Sequence, residues 1–143
     1  MIIGNIIIGI TFKIYSKKYI VDDPKLKDGY DKLIKGWFIY GNIPWVIMTI
    51  GDFTGLTNGM QEYFDPKSMN PMVLVLHFYT VLLLVLGSRW IYLKDGADFL
   101  AKHPGMIKVL FEDITSPKTI KIYWTIVLVA GIASQTKRWL LDI

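Results

Sequence analysis

The chain has 143 residues, the length of a single domain, and 52% of them are hydrophobic, compared with about 45–50% in typical soluble domains. Cysteine is absent, which excludes disulfides, thiolate metal sites, iron–sulfur clusters and a cysteine nucleophile. The net charge of +4 comes from lysines that lie between long apolar blocks, so it predicts basic membrane-flanking connectors rather than nucleic-acid binding.

The first apolar block covers residues 1–12 and is followed, not preceded, by Lys13, Lys17 and Lys18. A cleaved signal peptide has the opposite order. We therefore expect an uncleaved first helix over residues 1–19 with its N-terminus outside. Because the block is short for a full crossing, a half-inserted or interfacial helix is the alternative.

The second block, residues 36–51, predicts a membrane span over 34–56. Pro44 lacks the N–H that would bond to the carbonyl of Tyr40, so it predicts a kink in this helix. Asn42 lies two residues earlier and offers a polar side chain that can satisfy the freed carbonyl. A binding site built on a broken helix at Asn42 and Pro44 is the sharper alternative.

The third block has no charged residue from 68 to 88 and predicts a span over 71–93, with Pro71 in the first helical turn. The fourth, residues 122–136, lies between Lys121 and Lys137. Lysine side chains can reach the headgroups from both ends, so this block extends to a span over 119–141. In the connector between them, residues 97–103 are expected to form a small interfacial helix within a surface loop, with a partner-docking or lipid-reading element as the alternative.

Together the four blocks predict an all-α integral membrane protein: one transmembrane domain over residues 1–143, folded as a four-helix bundle. The connectors over 13–35 and 89–121 hold thirteen of the sixteen Lys and Arg residues. The side richer in Lys and Arg is cytoplasmic, so both termini are expected outside. A bacterial inner membrane is the expected location, and an organelle membrane is the alternative.

Several polar residues fall in the outer half of the predicted spans, where they are costly to bury. They suggest an outward-facing vestibule in which His77 relays protons or lines a pore and Asp52 attracts cations. The plainer alternative is that His77 bonds to a neighbouring helix and Asp52 caps a span. The vestibule candidates are His77, Asp52, Thr49, Gln135, Asn5 and Thr80.

Small residues at helical spacing predict close contacts between helices. The candidates for such packing are Gly36 and Gly41 on the second span, Gly87 and Ser88 on the third, and Ala130 and Ser134 on the fourth.

A search for catalytic motifs finds no HExxH, GxSxG, phosphate-binding loop or dinucleotide fingerprint. We expect no catalytic residues, metal or cofactor, and the pattern leans away from an enzyme. The predicted function is a homo-oligomeric channel or transport protein for an ion or small solute, with the polar vestibule in the outer leaflet. The alternative is a non-catalytic accessory or assembly subunit of a larger membrane complex. The expected partners are the lipid bilayer and copies of itself or other membrane subunits, not nucleic acid.

Overall fold

The computed structural model describes residues 2–109 and 112–140. Within these ranges the fold is almost entirely helical, which confirms the all-α prediction. The helices are α1 (Ile2–Asp22), α2 (Lys27–Tyr40), α3 (Ile43–Phe53), α4 (Pro71–Leu93), α5 (Gly96–Ala101) and α6 (Pro117–Leu140). A two-residue antiparallel pairing joins β1 (Lys108–Val109) to β2 (Glu112–Asp113), and short 3-10 turns occupy Pro24–Leu26, Glu62–Phe64 and Pro66–Ser68.

Two helical segments of the described chain are long and apolar enough to cross a membrane. One is Pro24–Phe53, which combines a 3-10 turn with α2 and α3, and the other is α4. The helices α1 and α6 have 21 and 24 residues, but neither reaches the same apolar composition in the described part. Four of the described helical segments are therefore long enough to cross a membrane, and two of these four are also apolar enough.

The helix α4 begins where its local sequence predicts. Pro71 lies in the first turn, and the side chain of Asn70 accepts a hydrogen bond from the backbone N–H of Met72 at 3.0 Å. Such a cap satisfies a donor that the helix itself leaves without an acceptor. Pro71–Leu93 coincides with the predicted span, and Pro117–Leu140 begins two residues before the fourth one.

The predicted second span corresponds to one helical segment, Pro24–Phe53, in which a two-residue turn separates α2 from α3 at the expected kink. The helix α2 ends at Tyr40, a turn covers residues 41–42, and α3 begins at Ile43. Pro44 therefore lies in the first turn of a new helix, where the missing N–H costs little. The backbone N–H of Asn42 bonds to Ile39 at 3.3 Å, in the tighter pattern of a helix end.

The long helices pack in an open arrangement. α1 lies against α2, α3 lies against α4, and α6 lies on another part of α4. We call the end where residues 54–70 join α3 to α4 the loop end. The opposite end, where α5 packs against α4 and α6, is the connector end. Each end has a small buried core, with Met48, Tyr63 and Val73 at the loop end and Ile91, Ala97, Ile114 and Ile120 at the connector end.

Between the two ends, the outer surface of the long helices is apolar and exposed. Ile7 on α1 is 57% exposed, Phe78 on α4 is 69% exposed and Val129 on α6 is 62% exposed. Soluble monomers rarely leave large contiguous apolar patches in water. This surface is therefore suited to contact with lipid or with other chains.

Candidate functional site

The structure places four of the six predicted vestibule residues in three separate groups of hydrogen bonds instead of gathering all six in one place. The first group surrounds the break between α2 and α3, the second lies at the loop end, and the third joins α4 to α6. Asn5 belongs to the first group, Asp52 to the second, and His77 with Gln135 to the third.

Thr49 and Thr80 take part in none of these groups. The Thr49 hydroxyl donates to the carbonyl of Trp45 at 2.7 Å, and the Thr80 hydroxyl donates to the carbonyl of Leu76 at 2.9 Å. Both bonds run back along the residue's own helix, which is an ordinary arrangement for a threonine in an apolar helix.

At the helix break, side chains from two other helices satisfy the free carbonyl groups. Asn5 Nδ2 of α1 donates to the carbonyl of Gly41 at 2.7 Å. The hydroxyl of Tyr79 on α4 donates to the carbonyl of Tyr40 at 2.7 Å, and this is the group that Pro44 leaves without an N–H. Tyr79 thus has the role that the sequence suggested for Asn42.

Asn42 instead donates from Nδ2 to the carbonyl of Phe38 at 2.8 Å. The indole N–H of Trp37 donates to the backbone carbonyl of Asn5 at 3.1 Å, so α1 and α2 are bonded in both directions. A Cβ on Gly41 would lie 3.0 Å from Asn5 Nδ2, and a glycine at this position lets the amide approach. These bonds account for the polar residues at the break without a ligand.

At the loop end, Asp52 stabilises the chain that leaves α3. Its carboxylate accepts a hydrogen bond from the Thr57 hydroxyl at 2.6 Å, and Thr57 Oγ1 lies 3.2 Å from the Tyr63 hydroxyl. Tyr63 is fully buried, and its hydroxyl donates to the carbonyl of Met48 at 3.0 Å. Gly51 leaves the space that this hydroxyl occupies. The hydrogen bond of Asp52 thus connects the last turn of α3 to the loop that follows it.

Glu62 organises the next part of the same loop. Its carboxylate accepts from the backbone N–H of Asn58 at 2.7 Å and from Asn70 Nδ2 at 2.6 Å. These hydrogen bonds favour the charged form and lower the pKa of Glu62 below its ordinary value, with the Asn58 backbone bond as the largest cause.

The third group is the pair formed by His77 on α4 and Gln135 on α6. His77 is 5% exposed, and its Nδ1 lies 2.9 Å from Gln135 Oε1. With Gln135 Oε1 facing it, Nδ1 is the donor of this hydrogen bond, and in the tautomer protonated at Nδ1 the other nitrogen, Nε2, is an acceptor. Nε2 is buried and has no hydrogen-bond partner among the described residues. The indole of Trp139 packs edge-on against the imidazole, with ring centroids 6.5 Å apart.

A long groove runs between α4 and α6 from this pair toward the connector end. It consists of two adjoining cavities of about 520 and 470 Å³, which share Val81, Gln135 and Thr136 as lining residues. His77 and Trp139 line the first cavity, toward the loop end. The remaining lining residues are predominantly apolar, and they are Leu74, Phe78, Leu84, Val85, Ser88, Leu128, Ile132 and Leu140.

The close contact between α4 and α6 uses a glycine against an aromatic ring. A Cβ on Gly87 would lie 2.6 Å from the Trp124 ring, so the indole packs directly on the helix backbone. The Trp124 N–H also donates to Ser88 Oγ at 3.0 Å. The predicted packing residues Gly87 and Ser88 therefore meet α6 through a tryptophan that the spacing of small residues did not indicate.

The other predicted packing residues differ. Ala130 and Ser134 are exposed, because α6 turns Gly131 and Gln135 toward α4 instead. A Cβ on Gly36 would meet Tyr40 of its own helix at 3.9 Å and, within 4 Å, no other described residue. In the single chain these three residues make no close helix contact of the kind that Gly87 makes, judged over the described residues.

At the connector end, His103 belongs to an aromatic cluster and not to a catalytic one. Its ring packs edge-on against Tyr30 at 5.0 Å and near Phe99 at 4.4 Å, and its Nδ1 donates to the carbonyl of Phe99 at 2.6 Å. The buried Tyr30 hydroxyl donates to the carbonyl of Pro104 at 2.7 Å. These contacts hold the connector beneath α1 and α2.

Over residues 2–109 and 112–140, no group of three or more His, Asp or Glu side chains is placed to hold a metal ion. No family model, curated protein or solved structure matches the chain. A proposal for the function therefore rests on the contacts within the chain.

Proposed function

We propose that the chain is a four-span integral membrane protein that acts in transport, as a homo-oligomer that moves an ion or small solute. The observation that carries this proposal is the buried His77–Gln135 pair beside an open groove. An ionisable side chain inside a membrane helix is costly to bury and is usually retained for function.

The four proposed spans are α1, the α2–α3 pair, α4 and α6. A helix of ~20 residues rises about 30 Å, the thickness of the hydrocarbon layer. The 21 residues of α1 and the 24 of α6 provide this length. The basic residues of α6 lie near its ends, whereas Lys13, Lys17 and Lys18 lie in the second half of α1. They lower the mean hydropathy of both helices, but long basic side chains can extend to the headgroups. The exposed isoleucines and valines between the ends then face lipid.

The distribution of basic residues gives the orientation. The connector end holds thirteen Lys and Arg residues, and the loop end holds Lys67, Lys137 and Arg138. We place the connector end in the cytoplasm and the loop end and both termini outside, in a bacterial inner membrane. His77 and Gln135 then lie in the outer half of the bilayer. The helix α5 lies at the cytoplasmic interface.

Exposed small residues support the oligomer. Ala130 and Ser134 lie on an exposed face of α6, and small residues let a second helix approach closely in a bilayer. A solute path between symmetric copies requires such an interface. The single chain encloses little space of its own, since its cavities are open grooves on the surface of α4 and α6.

Reconstitution in liposomes tests transport. Protons and small cations are the first solutes to assay, by a pH-sensitive dye inside the vesicles and by tracer uptake. We expect His77→Ala to lower the flux, whereas Asp52→Asn, which changes a capping carboxylate, leaves it nearly unchanged. Equal flux in wild type, His77→Ala and empty liposomes would reject the transport proposal.

A second candidate is an accessory or assembly subunit of a larger membrane complex. It is favoured by the way in which Asn5, Asp52, Thr49 and Thr80 are hydrogen-bonded within the chain, since these residues then support structure. Purification in a mild detergent distinguishes the two candidates. A symmetric particle of this chain alone supports transport, and stoichiometric unrelated subunits support the accessory role.

A further inference from the structure

The groove between α4 and α6 differs from the other two hydrogen-bonded groups because it has a buried nitrogen, His77 Nε2, with no partner among the described residues. From it we propose that the groove binds a single-chain amphiphile of the outer leaflet. The molecule would have a head that ends in an O–H group, placed at His77, and an acyl or alkyl chain that lies along the groove. This inference rests on the proposed membrane placement and names a ligand class for the same site.

The hydrogen bonding of His77 determines the chemistry of the head. Nδ1 is occupied by Gln135, and Nε2 is buried without a partner among the described residues. A buried acceptor without a donor is destabilising. A hydroxyl group can donate to Nε2, so it supplies the donor that the ring lacks.

The shape of the groove determines the rest of the molecule. The two adjoining cavities lie in the size range of small-molecule sites, about 300–1,000 Å³, and they extend from Trp139 to Ser88. His77 lies at one end, and Val81, Val85 and Ile132 line the apolar part. Ser88 at the far end is already hydrogen-bonded to Leu84 and Trp124. One polar end and a long apolar remainder match a single-chain amphiphile better than an ion.

Access to the groove is from the side. Phe78 is 69% exposed, Val85 is 59% exposed and Ile132 is 57% exposed, so the lining faces the space that lipid occupies. Nε2 itself is covered in the free chain, and Trp139 packs against the imidazole. In this proposal the head displaces part of the side-chain packing around the imidazole, in which the half-exposed Trp139 takes part.

Quenching of tryptophan fluorescence tests the site directly. The probe is octadecanol brominated at mid-chain, added to the full chain in nanodiscs of phosphatidylcholine. Bromine quenches indoles that it contacts, and Trp124 and Trp139 lie beside the groove. We expect saturable quenching that unbrominated octadecanol competes away. We expect the brominated methyl ether, which has no O–H, to bind about tenfold more weakly, the effect of one lost hydrogen bond to a buried group.

Variants locate the head group. His77→Phe, which removes Nε2, should abolish the preference for the alcohol over the ether, while Thr49→Val on α3 should leave the preference unchanged. Equal binding of alcohol and ether by wild type would overturn the proposal, and this comparison needs no variant to fold. If quenching occurs only in the monomeric fraction, a second copy of the chain occupies the groove in the oligomer. This result would also overturn the proposal.

The outcome is separable from that of the transport proposal. Alcohol binding without flux in liposomes would retain the site and reject transport. Flux that depends on His77 without alcohol selectivity would retain transport and reject the amphiphile.

Discussion

The break between α2 and α3 and the groove between α4 and α6 both place polar groups within long apolar helices, but they differ in how completely those groups are paired. At the break, the side chains of Asn5, Asn42 and Tyr79 bond to three backbone carbonyls. At the groove, Gln135 pairs one nitrogen of His77 and leaves the other buried and unpaired in the described chain.

We interpret the fully paired polar groups at the break as structural and the group with an unpaired atom at the groove as a binding site. Backbone carbonyls cannot be removed by substitution, so donors from α1 and α4 at the break act as fixed connections between helices. A side-chain pair such as His77 and Gln135 is optional, because an apolar pair could fill the same volume. A polar pair that leaves one atom unpaired suggests a partner from outside the chain.

The largest effect is expected where α4 and α6 touch. In Gly87→Leu the new side chain would collide with the Trp124 ring, which a Cβ alone would approach to 2.6 Å. Overpacking of this kind costs about 1–3 kcal/mol or more. The measurement is thermal unfolding in detergent, followed by near-ultraviolet circular dichroism.

Gly36→Leu is the matched control, since a Cβ there would meet Tyr40 of the same helix at 3.9 Å. We expect little or no loss of stability from it. If the two leucine variants melt together, the glycine–tryptophan contact does not position α6.

Asn5→Leu should have the next largest effect. It leaves the Gly41 carbonyl without its side-chain donor in an apolar region, which costs about 1–3 kcal/mol. Thr11→Val is the control on the same helix, because the Thr11 hydroxyl bonds to Ile7 within α1 and is exposed. Equal melting temperatures for the two variants would argue against a connection from α1 to the break.

Replacing the polar pair of the groove should change the stability much less than Asn5→Leu does. Replacing both partners, as in His77→Phe with Gln135→Leu, removes one hydrogen bond and also the unpaired Nε2. Such paired apolar replacements are nearly neutral or stabilising, so we expect a change in unfolding free energy of about 1 kcal/mol or less. A loss as large as that of Asn5→Leu would mean that the histidine pair is a structural connection like those at the break.

The smallest effect concerns the loop end and depends on pH. The pKa of Glu62 is lowered by its bonds to Asn58 and Asn70, so its contribution to stability is full at neutral pH. That contribution is lost as the pH falls through the lowered pKa, since the unfolded carboxyl group takes up its proton first. The protection factor of the Asn58 amide, taken relative to its intrinsic exchange rate at each pH, should therefore fall on acidification more in wild type than in Glu62→Gln. The same acid response in both would assign it to another carboxyl group.

Much of the fold could be predicted because its signals are local. The Asn70–Pro71 pair marks the start of α4, and the charge-free run beyond it gives a helix that ends at Leu93 as expected. Pro44 likewise marks the place where a two-residue turn separates α2 from α3. The amphipathic stretch after Asp95 predicts the short α5, which covers Gly96–Ala101.

Contacts between helices could not be predicted in the same way, because they depend on how each helix is rotated about its axis. The spacing of Ala130 and Ser134 suggested the packing face of α6, but neighbouring positions of a helix lie about 100° apart, and the face toward α4 is that of Gly131 and Gln135. Tyr79 and Trp124 were missed for the same reason. Their partners are remote in sequence.

The membrane placement underlies both the transport proposal and the amphiphile site, and labelling of engineered thiols tests it most directly. The chain has no cysteine, so Lys27→Cys and Lys67→Cys each carry a single reactive group. With a membrane-impermeant maleimide and intact cells, we expect the thiol at position 67 to be labelled and the thiol at position 27 to react after permeabilisation. Equal labelling of both positions from the same side of the membrane would contradict the account.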